Sequence, residues 1–460
     1  MPSGKGRSRG LSQRALPVAL DVRYTRAVDA AKRGMRPGTL NLLLTFGCLI
    51  LAAALRVWVV REHPPWAAVF SDMAGYVHNA DQILSGKVTS QTFFQPVGFP
   101  AFLALLRKIG LGYRALAPIH VVLGTLTVYL AGRIAARLDG ERTGLLTTFV
   151  LAVHWSLAYM SGYYMGETLY AFLITLMAWL MVATGLRRGW HAIAVGAVLG
   201  ISYWIKGYSG PMLMLMLAYF GLRFVRDRGQ RWRWFKVAFL LTAVFATQPA
   251  LHREVTFRTT GDAQWGASTS GLNLVEGKCP WKRNEDSSGY GWWSPLYVQQ
   301  HKGAYKKWPR PFTDAKYFQQ QAIQCIKDNP KVMVESVVHV AELFVRNYLW
   351  PASGDDRFRK FEQVYEKFFL GFVFPGLVFG FWRLSRSIRA QKNLFVLAVI
   401  VPILTICGVV YIGKSEIRYR LPFDPFFCIV ASAGWISIGE MVSAMLRAIF
   451  ARSTRGKPSS

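Results

Sequence analysis

The sequence predicts an all-α, polytopic membrane protein of about ten spanning helices, and three observations carry that prediction. Of the 460 residues, 52% are hydrophobic and 14% aromatic, while only 17% are charged; soluble domains carry about 25% charged residues. Apolar runs long enough to cross about 30 Å of hydrocarbon recur along the chain. Basic residues gather in the short stretches between alternate runs, as cytoplasmic loops do.

That charge pattern also argues against nucleic acid as a partner, despite a net charge of +30. Arg7, Arg9, Arg14, Arg23, Arg26, Lys32, Arg33 and Arg36 precede the first apolar run. Arg133, Arg137 and Arg142 fill one short loop, and Arg187 and Arg188 another. Arg223 to Lys236 and Arg383 to Lys392 supply two more clusters. Basic residues that alternate with spans do not form the single basic face that nucleic acid requires.

In chain order, residues 1–38 are an Arg-, Gly- and Ser-rich cytoplasmic tail, and the run that follows is too long for the core of a cleavable signal. The expected spans are Thr39–Val60, Ala115–Gly132, Thr143–Gly162, Thr168–Leu186, Trp190–Ile205, Gly210–Val225 and Phe235–Leu251. After a long polar stretch come Phe368–Trp382, Leu394–Ile412 and Leu421–Leu446. This divides the chain into an N-terminal transmembrane module, 39–251, with a first outer loop at 61–114; an outer region, 252–363; C-terminal spans, 364–446; and a basic tail, 447–460. Phe99–Leu106 reads as a short surface helix and Thr313–Lys327 as a soluble one. Val332–Trp350 is apolar but carries Glu335, His339, Glu342 and Arg346 three or four residues apart, on one helical face. It reads as an amphipathic helix over the outer face. Counting it as an eleventh span would put a basic cluster on the wrong side.

Cys48, Cys407 and Cys428 fall inside apolar runs and read as packing residues. Cys279 and Cys325 are the two cysteines of the outer region, where an oxidising compartment would permit a disulfide; two separate thiols are the alternative. No CxxC or His-spaced cluster argues for zinc. No cofactor is assigned, and a divalent metal stays open.

The most informative stretch is Arg56–Leu106. An Arg stands one turn from the end of the first apolar run; Asp72 follows it, then Tyr76 and Ala80, then Pro96-Val-Gly98-Phe-Pro100 into the next apolar helix. Late in the chain, Lys414-Ser-Glu416-Ile-Arg418-Tyr-Arg420-Leu-Pro422 precedes the last span. Together these resemble the GT-C glycosyltransferases, in particular the branch of protein O-mannosyltransferases and of the bacterial aminoarabinose and galacturonic acid transferases. In that branch the first outer loop carries the catalytic Asp, usually within Asp-Glu; here Met73 stands second.

The resemblance implies a bacterial inner-membrane enzyme, working on the outer face, that transfers a sugar from a polyprenyl-phosphate donor to a hydroxyl acceptor with inversion. The acceptor is a glycan, a lipid or a protein. Asp72 is then the general base. Glu167, at the outer start of the fourth span, binds the acceptor or orients Asp72; favourable placement in the first turn of a helix is its other reading. Arg418 and Arg420 hold the donor phosphate, since guanidinium forks suit phosphate oxygens, with headgroup anchoring as the alternative. Tyr76, Arg56 and Lys206 are further candidate substrate-binding residues; for Arg56 snorkelling competes with that role, and for Asp72 helix capping does. Two other classes stay in view. An envelope polysaccharide polymerase or ligase would use the outer loop and its arginines without needing Asp72, and a lipid-linked-sugar transporter would show internal repeats and broken mid-membrane helices.

Overall fold

A computed structural model describes residues 37–279, 313–345, 356–387 and 392–455, and the regular structure among them is helical throughout. The expected basic N-terminal tail lies almost wholly outside these residues, as do the loop 280–312, Arg346 and Arg389. Two compact units divide the chain, Met1–Leu44 and Thr45–Ser460, and the packing given below is that of the second.

The helices are α1 (Pro37–Glu62), α2 (Asp72–Ser85), α3 (Gly98–Lys108), α4 (Leu116–Asp139), α5 (Glu141–Ala152) and α6 (Trp155–Tyr159). Then come α7 (Glu167–Thr184), α8 (Gly189–Ile205), α9 (Ser209–Arg226), α10 (Arg231–Thr260), α11 (Thr269–Lys278) and α12 (Ala315–Asp328). The rest are α13 (Lys331–Glu335), α14 (Val337–Val345), α15 (Asp356–Ser387), α16 (Lys392–Phe395), α17 (Val401–Ile412), α18 (Ile417–Arg420) and α19 (Asp424–Arg455). A π-turn at Val396–Ile400 joins α16 to α17.

All ten expected spans fall on helices. Among the described residues, seven helices are long and apolar enough to cross a membrane, and α5 with the α6 segment makes an eighth if that pair, bent by 54°, is one span. His154 sits at the bend, where its Nδ1 accepts from the Leu157 amide and caps α6. The apolar α8 is shorter. Without a hydrophobic drive between helices in lipid, close association rests on small residues that let backbones touch. Helices α15 and α19 use this device: a Cβ added at Gly434 would lie 1.9 Å from the Gly376 carbonyl, and one at Gly380 would lie 1.9 Å from that of Val430.

The basic turns meet one another at one end of this unit. Arg383 Nε pairs with Asp139 at 2.7 Å, Arg137 donates to the Ala183 carbonyl at 2.9 Å, and Arg233 donates to that of Gly185 at 3.0 Å. Glu167 stands at the opposite end of α7 from Ala183, and Lys206, the 413–418 stretch and Asp72 gather with it.

One element differs from expectation. Val332–Trp350 is not one helix in its described part: α13 stops at Ser336, whose hydroxyl donates back to the Val332 carbonyl at 2.6 Å and accepts from Lys278. A serine that bonds its own preceding turn while serving an outside donor favours a break there.

Candidate active site

Helix α2 starts abruptly because Ser71 takes φ 49° and ψ −124°, one of two non-glycine residues with positive φ among those described. Such backbone strain persists only where surroundings enforce it. The turn sends Asp72 into a cavity of about 440 Å³ and not back along its own helix. The carboxylate is a ligand between two donors: Gln95 Nε2 reaches Oδ1 at 2.9 Å and Arg418 Nη1 reaches Oδ2 at 2.8 Å. Gln95 comes close because the facing position is Gly75, where a Cβ would lie 2.9 Å from the amide oxygen.

Arg418 arrives from the short helix α18. Its Nε donates to Glu416 Oε2 at 2.6 Å, so two edges of one guanidinium carry two different carboxylates. Lys414 Nζ closes the group at 3.2 Å from Glu416 Oε1. Burial by itself raises the Glu416 carboxyl, but the charges of Arg418 and Lys414 outweigh it and hold the group at about 2. Across the cavity, Lys206 follows the last turn of α8 and donates to Glu167 Oε1 at 2.8 Å. Glu167 is the first residue of α7, 2% exposed, with Oε2 unpartnered. These six described groups balance, Lys206, Lys414 and Arg418 against Asp72, Glu167 and Glu416.

The remaining walls differ in character. Helix α11 and the residues before it contribute Ala267, Thr269, Ser270, Leu272, Asn273 and Leu274, a mix of hydroxyl, amide and apolar groups. Val409, Ile412 and Pro211 supply an apolar flank, and Phe94, Tyr208 and Tyr419 aromatic surface. Helix α11 is held from outside by a disulfide between Cys279 and Cys325 of α12, with Cα atoms 5.2 Å apart. From inside it is held by bare backbone contact, since a Cβ at Gly277 would lie 2.1 Å from the Gly413 carbonyl.

Of the residues singled out from sequence, Asp72, Tyr76, Lys206 and Arg418 line the cavity, and Glu167 stands one ion pair behind it. Tyr76 is buried edge-on against Phe99, and burial pushes its phenol well above the ordinary range. Two residues are placed elsewhere. Arg420 is fully buried: it bonds Glu366 at 2.8 Å, Asp424 at 2.8 Å and the Leu343 carbonyl at 2.8 Å, in a hub that also holds Ser156 and His154. Arg56 is 1% exposed, donates to the Ala52 carbonyl of its own helix at 2.9 Å and lies against Gly124, neither snorkelling nor lining the cavity.

Gln95, immediately before the Pro96 motif, and Tyr208 carry no charge or spacing that marks them in the sequence, yet both line the cavity. Glu416 sits within the quoted late motif but was given no role. Among the described residues, no group of three or more His, Cys, Asp or Glu side chains is arranged to hold a metal ion. The carboxylates at the cavity are instead engaged by cations.

No family model and no curated protein matches this chain. Among solved structures, it is similar to the archaeal oligosaccharyltransferase AglB from Archaeoglobus fulgidus in complex with an inhibitory peptide and a dolichol-phosphate, at 14% identity and a TM-score of 0.49, over 90% of this chain and 52% of that one. The Archaeoglobus fulgidus oligosaccharyltransferase in complex with Zn and sulfate gives 14% identity and a TM-score of 0.48, over 89% and 51%. ArnT from Cupriavidus metallidurans bound to undecaprenyl phosphate gives 13% identity and a TM-score of 0.37, over 87% and 78%. The chain spans about half the length of the archaeal oligosaccharyltransferase it matches.

Proposed function

We propose that this chain is a membrane glycosyltransferase of the GT-C kind, which moves a sugar from a polyprenyl-phosphate donor to a hydroxyl acceptor on the outer face of a bacterial inner membrane. The observation that carries the reading is the convergence of Asp72 and Arg418, from opposite ends of the chain, on one cavity. A carboxylate and a guanidinium side by side are what such a displacement needs. The polymerase or ligase reading has no use for Asp72.

The chemistry follows from where charge moves. The acceptor oxygen attacks the anomeric carbon while its proton passes to Asp72. The bond from that carbon to the phosphate oxygen breaks, and the electron pair leaves with the lipid phosphate. Arg418, supported by Lys414 and Lys206, stabilises that developing charge. A single displacement of this sort inverts the anomeric centre. The apolar flank at Val409 and Ile412 fits the first isoprene units beside the phosphate, and the hydroxyl- and amide-bearing wall of α11 fits sugar hydroxyls.

Membranes containing the protein, incubated with radiolabelled polyprenyl-phosphate sugars, should yield transferred sugar with wild type and lose it with Asp72→Asn. A full rate from the Asn variant would remove the reading.

A further inference from the structure

Helices α13 and α14 are turned inside out for a segment in water. On the outward side Val334 is 76% exposed, Val337 59% and Val338 52%. On the inward side Ser336 is 1% exposed, His339 3%, Glu342 5% and Leu343 0%. An amphipathic helix of a soluble region buries its apolar stripe and wets its polar one; here three polar side chains are packed away while the valines stand clear.

We infer that Lys331–Val345 is seated in the acyl region of the leaflet at the cavity's end of the protein, with lipid chains as the partner of its outward face. The neighbours of that face support a lipid occupant. Helix α14 packs on α17 and α18. On the spanning helices around it, Leu404 of α17 is 50% exposed, Ile412 49% and Phe374 of α15 48%, and the ring of Phe344 of α14 lies tilted against that of Phe374, centroids 5.7 Å apart. The valines therefore extend a surface already turned to hydrocarbon.

The polar contacts point the same way. In a lipid setting each buried polar group must find its partner inside the protein. Ser336 accepts from Lys278 at 2.5 Å, Lys278 also donates to the Tyr411 carbonyl at 2.6 Å, and the Leu343 carbonyl accepts from Arg420 at 2.8 Å. Burial draws the Lys278 amine down to about 8, the response of a cation kept from water. The charged side chains of the segment that do stand exposed, Lys331 and Glu335, flank Val334 at the start of the segment, where their long stems can snorkel to headgroups. A straight helix of this length would span only about 22 Å, short of a full crossing, so the segment dips into one leaflet.

The test is a nitroxide depth measurement. Cys48, Cys407 and Cys428 are replaced by Ala, which leaves the Cys279–Cys325 disulfide in place, and Val338→Cys is spin-labelled in lipid nanodiscs. The label should be accessible to oxygen and shielded from an aqueous nickel chelate, matching a label at Leu404. Nickel access equal to that of a label at Gln324, on the exposed side of α12, would place the segment in water and overturn the inference. So would an immobilised label that neither reagent reaches, since that means a protein partner or a second copy. Val334→Cys repeats the measurement should the first variant fail to fold. None of these readouts depends on turnover, so the inference and the glycosyltransferase reading fail separately.

Discussion

Asp72 and Arg418, 346 positions apart in the chain, meet through a hydrogen bond of 2.8 Å at the edge of the cavity. The pairing has a cost in the resting state. Nη1 of Arg418 faces Asp72 and Nε faces Glu416, so a phosphate that binds either nitrogen competes with one of these carboxylates. If it takes the edge from Asp72, the base is released when the donor arrives, while Gln95 keeps the carboxylate in position.

Asp72→Asn should therefore separate binding from chemistry. Turnover is expected to fall by roughly 10²–10⁴-fold, because the proton acceptor is gone. Affinity for polyprenyl phosphate should rise by about tenfold, because a competing anion has been neutralised. Filter binding of the labelled lipid, with neutral polyprenol as control, reads the second effect. Weaker binding by the Asn variant would show that Asp72 does not compete with the phosphate.

Arg418→Lys keeps the charge but loses the planar fork. Donor affinity should drop about tenfold, equivalent to ~1.4 kcal/mol, with little change in thermal unfolding. Arg420→Met should show the reverse balance. Removing the cation from a fully buried hub leaves Glu366 and Asp424 uncompensated, a loss of about 3–5 kcal/mol that a melting curve in detergent would register. Equal melting temperatures for the two variants would refute this division of labour.

The disulfide holds the α11 wall by closing a separation of 46 residues. Replacing Cys279 and Cys325 by Ser should cost about 4 kcal/mol by loop-closure entropy. The donor Michaelis constant should rise more than kcat falls, because α11 lines the cavity without contributing any of the proposed reacting groups. Steady-state kinetics of the oxidised and reduced protein would separate these effects.

Two groups give opposite pH signatures. Glu416 is held at about 2, below its ordinary 4.5, so its stabilising pairs are fully present above pH 4.5 and are lost as pH falls towards 2. Lys278 lies at about 8 against 10.5 when unfolded. Between those values the unfolded chain binds more protons, so stability rises with pH across that window. Glu416→Gln should flatten the acid limb and Lys278→Met the alkaline limb of a plot of melting temperature against pH. An unchanged slope in either variant would count against the assigned group.

Much of this arrangement is legible in the chain itself, because the membrane reduces the problem to apolar length and loop charge. Lys206 directly follows a spanning helix, Arg418 immediately precedes the last one and Asp72 lies in the stretch after the first, so alternation alone assigns all three to one end. What alternation does not settle is direction around an axis. Arg418 and Arg420 are two residues apart on a helical turn, which points them to opposite sides, one to the cavity and one to the buried hub. That spacing was the available signal against giving both to one phosphate. The stripe of Glu335, His339 and Glu342 poses a related ambiguity: periodicity finds a polar face, but the break at Ser336 divides it, leaving Glu335 exposed and His339 and Glu342 buried. Gln95 has no charge or periodicity to mark it, and its role depends on a glycine across a turn.

The contact of Gly277 with Gly413 bears on how this cavity can change over time. There the wall meets its support main chain to main chain, with no side chain between them to grow, shrink or repack. The spacing there therefore depends on the absence of a side chain at Gly277, and substitutions at Thr269, Ser270 or Asn273 can alter what the pocket grips without altering that contact. New sugar preferences would arise by changing the lining of a mould whose dimensions stay constant, whereas a single added methyl at Gly277 would recast the mould itself.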